Sequence, residues 1–291
     1  MAEVEKVLKS YLSKIKDRLG SLASDIAEPI LTGVPSMDKY LKLYPGFTLI
    51  YSQPDGGRTS LAKRLAISAH RQGLNVLYYD TEHKMMLHDP SVFDGIVLAT
   101  GSKSSGMKEL IGNGLIDFMV IDTITGAYGL TKEKLQQIKT KVPFIVVLTQ
   151  MKHIPTLAKE SPATTDGILS SAHTWIYLTS KEKLLIEGVG VARIQYQYTK
   201  CEMKRELTGT RDSFIVRNNL VDGVYSAYDY LRSSGSIRSV GKCKSYSSID
   251  GSEEVIGTIK EAVLDPQMSL RIISFWLKET GLDFTPEVYI G

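Results

Sequence analysis

Residues 52–60 read Ser-Gln-Pro-Asp-Gly-Gly-Arg-Thr-Ser and directly follow a short apolar run. Against the phosphate-cradling pattern G-x-x-x-x-G-K-[ST], Gly57 and Thr59 fall in register. Ser52 stands where the first glycine would, and Arg58 where the lysine would. A loop of this kind wraps backbone N–H groups around phosphate oxygens at a helix N-terminus, where the dipole favours anions. Asp55, Gly56, Gly57, Arg58 and Ser60 would form the cradle, and Thr59 would offer its hydroxyl to Mg²⁺. Arg58 keeps the positive charge, but a planar guanidinium is bulkier than an ammonium and follows a moving phosphoryl group less freely. A plain glycine-rich turn is the competing explanation.

Three more strand ends carry groups suited to the same chemistry. "FMVIDT" is an apolar run ending in Asp122, the place for a carboxylate that orients Mg²⁺. "YYDTEH" puts Glu82 just past another strand end, where it can polarise a water for in-line attack on phosphate. "VVLTQ" ends in Gln150, an uncharged hydrogen-bonder for a phosphoryl oxygen. Polar groups at several strand ends, converging on one crevice, suit the site of an open α/β sheet.

The elements that must position these groups are legible in the pattern. Short, wholly apolar strands alternate with helices from about Gly46, including a helix over Thr59 to Gln72, which indicates a parallel sheet covered on both faces. "TWIYLT", "ARIQYQYTK" and "DSFIVRN" are spaced as an antiparallel extension at one edge. From Val221 a helix, a hairpin turning near Gly241 and two more helices suggest a small separate lobe. Ahead of the core, Val4, Leu8, Leu12, Ile15, Leu19 and Leu22 make one apolar stripe on a helix. It either packs on its own core or docks on a neighbouring subunit. The expected division is 1–28, 29–220 and 221–291.

Composition narrows the class without naming a ligand. With 43% hydrophobic and 23% charged residues, the 291-residue chain has the make-up of a folded globular protein. Its 35 basic and 32 acidic residues are too balanced to announce nucleic acid, so any basic surface must be local. The two cysteines, Cys201 and Cys243, have no ligand-type neighbours, so neither a zinc site nor a disulfide framework is expected. His70, His88, His153 and His173 likewise show no ligand spacing. The absence of a long apolar run points to a cytoplasmic protein with no membrane partner.

The chain resembles the RecA-type recombinases, including the phage UvsX proteins. The resemblance runs through "TGVPSMDKYL", "LIYSQPDGGRTSLAKRLAISAHRQGLNVLYYDTEH", "VIDT", "VVLTQMK" and "ESPATTDGILSSAHTWIYL". Its most telling local match is Asp80-x-Glu82-His83. It implies an α/β, RecA-like phosphate-loop core with a mostly parallel twisted sheet, an N-terminal helical arm and a small C-terminal α/β lobe. It further implies ATP and Mg²⁺ as cofactors, with single-stranded DNA and homologous duplex DNA as partners. The assembly would be a homo-oligomeric helical filament. By position, Glu82 resembles the water-activating glutamate, Asp122 the Mg²⁺-orienting aspartate and Gln150 the link from γ-phosphate to a DNA loop at about 151–168. That loop would contribute Lys152, His153, Lys159, Thr164, Thr165 and Gly167. Phe93, after Asp89-Pro90, would be the aromatic on adenine. Lys200 and Lys204 would reach a neighbouring protomer, as would the stripe of Leu8, Leu12, Ile15 and Leu19.

The chain also departs from that family. Only 28 positions separate Asp122 from Gln150, and "GAYGL" is all that stands where a long first DNA loop would be. In the tail, Arg238, Lys242 and Lys244 lie in a stretch free of acids, either a solvated hairpin face or a surface for duplex phosphates. Three functions stay open: a compact recombinase, a paralogue with little or no turnover that modulates a filament, and a phosphate-loop ATPase acting on something else.

Overall fold

Apolar residues on both sides of a strand require cover on both faces, and the central strands have it. The computed structural model describes residues 27–82, 93–100, 111–124, 132–154, 159–162, 166–240, 243–247 and 253–290. The stripe Leu8, Leu12, Ile15 and Leu19 lies outside them. The strands are β1 (Gly46–Ser52), β2 (Val76–Asp80), β3 (Val97–Thr100), β4 (Phe118–Asp122), β5 (Phe144–Ile154), β6 (Lys159–Pro162), β7 (Thr174–Ile186), β8 (Val189–Cys201), β9 (Arg211–Arg217) and β10 (Leu220–Val221). They form one ten-stranded sheet in the order β10-β9-β8-β7-β1-β5-β4-β2-β3, with β6 paired to β5. From β3 to β7 along that path every pairing is parallel. From β7 to β10 every pairing is antiparallel. The molecule is thus α/β, with a mostly parallel sheet and an antiparallel extension at one edge, as expected.

Helix α1 (Pro35–Asp38) precedes the sheet, and α2 (Arg58–Arg71) follows β1. Leu61, Ala62, Leu65, Ala66 and Ala69 of α2 pack on Ile50, Tyr78, Val120 and Val146. The alanines let the helix approach the strands closely. Leu49, Leu77, Met119 and Val147 point to the other face and form a second core. This strict alternation fixes the register, because a one-residue slip would exchange the faces. Helix α2 stops at a Schellman turn: Gly73, at φ 84°, donates to His70 O, and Leu74 donates to Ala69 O. Helices α3 (Lys132–Lys139) and α4 (Asp166–Ser171) lie between later strands.

The hairpins owe their tightness to paired left-handed residues. Glu187 and Gly188 turn β7 into β8, and Asn218 and Asn219 turn β9 into β10, all at positive φ. Two-residue turns of that kind match the twist of the flanking strands.

The C-terminal region is continuous with the part before it. The boundary at 220/221 falls inside β10. The region's core of Tyr225, Tyr228, Ile272 and Trp276 also takes in Leu31, Ile186, Val191 and Ile215 from the preceding part. It comprises α5 (Gly223–Ser233), α6 (Ile259–Ala262), α7 (Pro266–Thr280) and a sheet of three strands, β11 (Ile237–Val240), β12 (Cys243–Ser247) and β13 (Glu253–Gly257). The third strand was not foreseen; "EEVIG" is too short to show a period.

Candidate phosphate-loop site

The ends of β1, β5, β4 and β2 are consecutive in the sheet, and that order assembles the site. Ser52 lies beside Gln150, and Asp80 beside Asp122, each pair directly across a parallel ladder. Between β1 and α2 the loop turns through Asp55 (φ 57°) and Gly57 (φ 92°), and Gly57 caps the helix. Gly56 has no room for a side chain, since a Cβ there would collide with Ser52 Oγ. A Cβ at Gly57 would collide with Ile194 Cδ1 of β8. The loop is therefore held between its own strand and the β7–β8 hairpin, with Thr59 and Ser60 half-buried in the first turn of α2.

Arg58 turns back into the loop. Its Nη1 donates to Ser52 O at 2.6 Å, Ser52 Oγ at 3.2 Å and Gln53 O at 3.3 Å. Burial lowers the guanidinium's pKa, opposed by the negative charges of Asp122, Glu82 and Asp55. Asp122 is fully buried, and burial raises its carboxyl above the usual range. Hydrogen bonding from Tyr78 and Thr59 favours its charged form, while Glu82 and Asp80 oppose it. Tyr78 Oη donates to Asp122 Oδ2 at 2.8 Å, and Asp122 Oδ1 has no hydrogen-bond partner among the described residues. Glu82 is half-buried, and its Oε1 accepts from Thr123 Oγ1 at 2.9 Å. Thr81 locks the two strand ends together: its amide donates to Asp122 O at 2.7 Å, and its hydroxyl accepts from the amide of Thr123 at 2.8 Å.

These residues fit a hard cation. An orphaned buried carboxylate oxygen beside a threonine hydroxyl is the partial oxygen set that Mg²⁺ accepts when substrate phosphates complete it. Among the described residues no cluster of three or more His, Cys, Asp or Glu side chains could hold a metal by itself.

A cleft of about 710 Å³ opens beside the loop. Gly57 and Ser60 form one wall, Lys181, Lys183, Leu184 and Val191 of the hairpin another, and Asn218 and Asn219 its edge. Lys181 Nζ donates to Asp55 O at 3.4 Å, tying hairpin to loop.

Other expected residues lie elsewhere. Phe93 is half-buried with Leu74 and Ile96 against the main core. Gly95, two residues on, abuts His70 near the far end of α2, about 18 Å along the helix from the loop. Phe93, the aromatic expected on adenine, thus has part of its ring packed on that core. Lys200 Nζ donates to Ala172 O at 2.7 Å and pairs with Glu202 at 2.8 Å, while Lys204 Nζ donates to Tyr40 O at 3.1 Å. Both ammonium groups are engaged within their own chain.

After Gln150 the described residues form a paired hairpin. Strand β5 continues to Ile154 and pairs antiparallel with β6, setting Lys152 opposite Ser161, His153 opposite Glu160 and Lys159 opposite Ile154. Gly167 lies in α4, while Thr164 and Thr165 are outside the described residues. Arg238 is exposed on β11, and Lys244 is on the adjacent β12, opposite Ser239. Lys242 is outside the described residues.

Sequence reasoning missed Lys63, Tyr78 and Thr81. Lys63 is buried in α2, which pushes its pKa down to about 8 against the charges of Asp122 and Asp80.

No protein-family model matches the sequence, and no curated protein is detectably similar to it. Among solved structures the chain is similar to the crystal structure of the RadB recombinase, at 18% identity and a TM-score of 0.47. The similarity covers 65% of this chain and 97% of that one. The α/β assignment rests on the strand order and registers above. Among the described residues no helix is long and apolar enough to cross a membrane.

Proposed function

We propose that the chain is a nucleotide-dependent DNA recombination protein that binds ATP with Mg²⁺ at the 52–60 loop and assembles on single-stranded DNA. The observation that carries the nucleotide part is the buried Asp122, its Oδ1 unpartnered, beside Thr59 at the head of α2. The DNA part draws on the sequence resemblance through Pro162–Ala172 and Asp80-x-Glu82-His83. In this reading the loop amides receive the phosphates, and the nucleoside takes the cleft between Ser60 and Asn218. Mg²⁺, held by Thr59 with Asp122 behind it, would neutralise phosphate charge. Glu82, oriented by Thr123, accepts the proton of the attacking water. Gln150, beside Ser52, joins the phosphate end of the site to the β5–β6 hairpin that carries Lys152, His153 and Lys159.

A second reading, a paralogue with little turnover, is favoured by one feature. Arg58 already donates to two loop carbonyls and would have to release them to follow a γ-phosphate. Calorimetry with Mg²⁺-ATP, with and without single-stranded DNA, tests binding, and phosphate release tests turnover. Slow, DNA-stimulated hydrolysis is expected. Glu82→Gln should abolish it while nucleotide affinity stays within a few-fold. Binding without any release in the unaltered protein would favour the paralogue, and no binding in either condition would remove the first reading.

A further inference from the structure

His173 stands just ahead of β7, beside the start of β1 and therefore at the end of the sheet opposite the phosphate loop. Its ring fills the space over Gly46, where a Cβ would collide with Nδ1. The His173 amide donates to Phe47 O at 2.9 Å, and the Phe47 amide donates to His173 Nδ1 at 3.2 Å. Phe47 is buried, and a buried N–H left without an acceptor is costly, so Nδ1 keeps its lone pair. The proton of the neutral ring is therefore on Nε2. Yet Nε2 lies 3.0 Å from Nζ of Lys139, the last residue of α3, and an ammonium has three protons and no lone pair. Two donors point at each other. The opposite tautomer only moves the conflict to Phe47, and a doubly protonated ring meets it on both sides. Burial, and after it the charge of Lys139, lowers the ring's pKa, which favours the neutral form. Lys139 has no other hydrogen bond or ion pair among the described residues. Lys200 joins the cluster through Glu202, which it pairs with at 2.8 Å and whose amide donates to His173 O. Two ammonium groups against one carboxylate leave an excess of positive charge, on side chains that are only partly buried.

We propose that Lys139 and His173 form an oxyanion site that takes a phosphate group, with Lys200 adding charge from the end of β8. A phosphate offers one oxygen to Nε2–H and another to Nζ, so a donor–donor contact becomes two charge-assisted hydrogen bonds. The excess positive charge favours an anion over a water in that position. Phe47 and Ser52 are five residues apart on β1, about 17 Å, so this site is separate from the phosphate loop. The group belongs either to free phosphate or to the backbone of a nucleic-acid strand. The second source rests on the DNA reading above; the site itself does not.

Long-range proton–nitrogen NMR spectra of the imidazole rings test this, with the His173 ring identified by its cross-peaks to the Phe47 amide proton. In phosphate-free buffer the ring should be protonated at Nε2 and bare at Nδ1; the reverse tautomer would overturn the proposal. Added inorganic phosphate should shift the Nε2 resonance saturably. Lys139→Met, a change on a partly exposed helix end, should weaken that binding roughly tenfold or more, and Lys139→Arg should retain it. No saturable shift, or an unchanged phosphate affinity in Lys139→Met, would mean that solvent water serves the two donors and would overturn the proposal. Acetate at matched ionic strength should leave Nε2 in place, and an equal response to acetate would overturn the assignment to phosphate. A single-stranded oligonucleotide in phosphate-free buffer separates the sources. A shift at lower concentrations than inorganic phosphate needs assigns the site to a strand's backbone, and no shift assigns it to free phosphate. Because the signal arises at His173, it reports this site whether or not nucleotide binds at the 52–60 loop.

Discussion

At the scale of single residues, the loop is shaped by what cannot be added to it. Gly57 combines a φ of 92° with direct contact on Ile194, so a methyl group there meets both backbone strain and a collision. Gly57→Ala should cost roughly 1–3 kcal/mol in urea unfolding for the backbone alone. It should also displace the Ile194 side chain of the β7–β8 hairpin and, on the proposed function, weaken nucleotide binding. A variant as stable as the original would show that the hairpin yields freely. The four polar strand ends were legible from the sequence because each closes an apolar run. Arg58's turn back onto Ser52 and Gln53 was not, because a motif position fixes a side chain's origin and not its direction.

At the scale of elements, α2 is gripped on its outer side by both flanks of the chain. Arg64, fully buried, donates to Gly33 O at 2.8 Å, Val288 O at 2.8 Å and Ile290 O at 3.1 Å. Ser68 Oγ donates to Leu31 O at 2.7 Å, and Gln72 Nε2 to the same carbonyl at 2.9 Å. A buried acceptor that loses its donor costs roughly 1–3 kcal/mol. Arg64→Met should therefore destabilise by several kcal/mol, and hydrogen exchange should quicken first around residues 31–33 and 288–290. Uniform quickening across the molecule instead would mean that Arg64 does no local tying. The sequence showed α2 as a helix over Thr59 to Gln72, and the antiparallel strands through the spacing of their three runs. It hid the partners of Arg64, which lie 31 to 226 positions away. The continuation of β5 past Gln150 and its pairing with β6 were hidden likewise, because short polar strands carry no apolar signature.

Across the whole molecule, one buried acid sits where the N-terminal segment, the sheet core and the C-terminal turn meet. Asp38 accepts from the amides of Thr32 and Gly33, at 2.8 and 3.1 Å, and its carboxyl is pushed up to about 7, chiefly by burial. Its folded-state value lies above the unfolded one, so protonation favours the fold. That contribution is fully present below about pH 4 and is lost as pH rises through about 7. Asp38→Asn should remove this slope: its stability relative to the original should improve steadily from pH 4.5 to about pH 7 and level off above that in urea titrations. A constant offset would show that Asp38 ionises without penalty. The β7–β8 hairpin spans the same territory differently. Ile194 presses on the phosphate loop, while Ile186 and Val191 belong to the C-terminal core. About 17 Å of continuous hydrogen-bonded ladder separates Ile194 from the turn. The hairpin is therefore a stiff beam with its two ends in different bearings. Any ligand that lifts the loop by a fraction of an ångström must either bend that beam or tilt the lobe at its other end, and tilting leaves the ladder's hydrogen bonds intact.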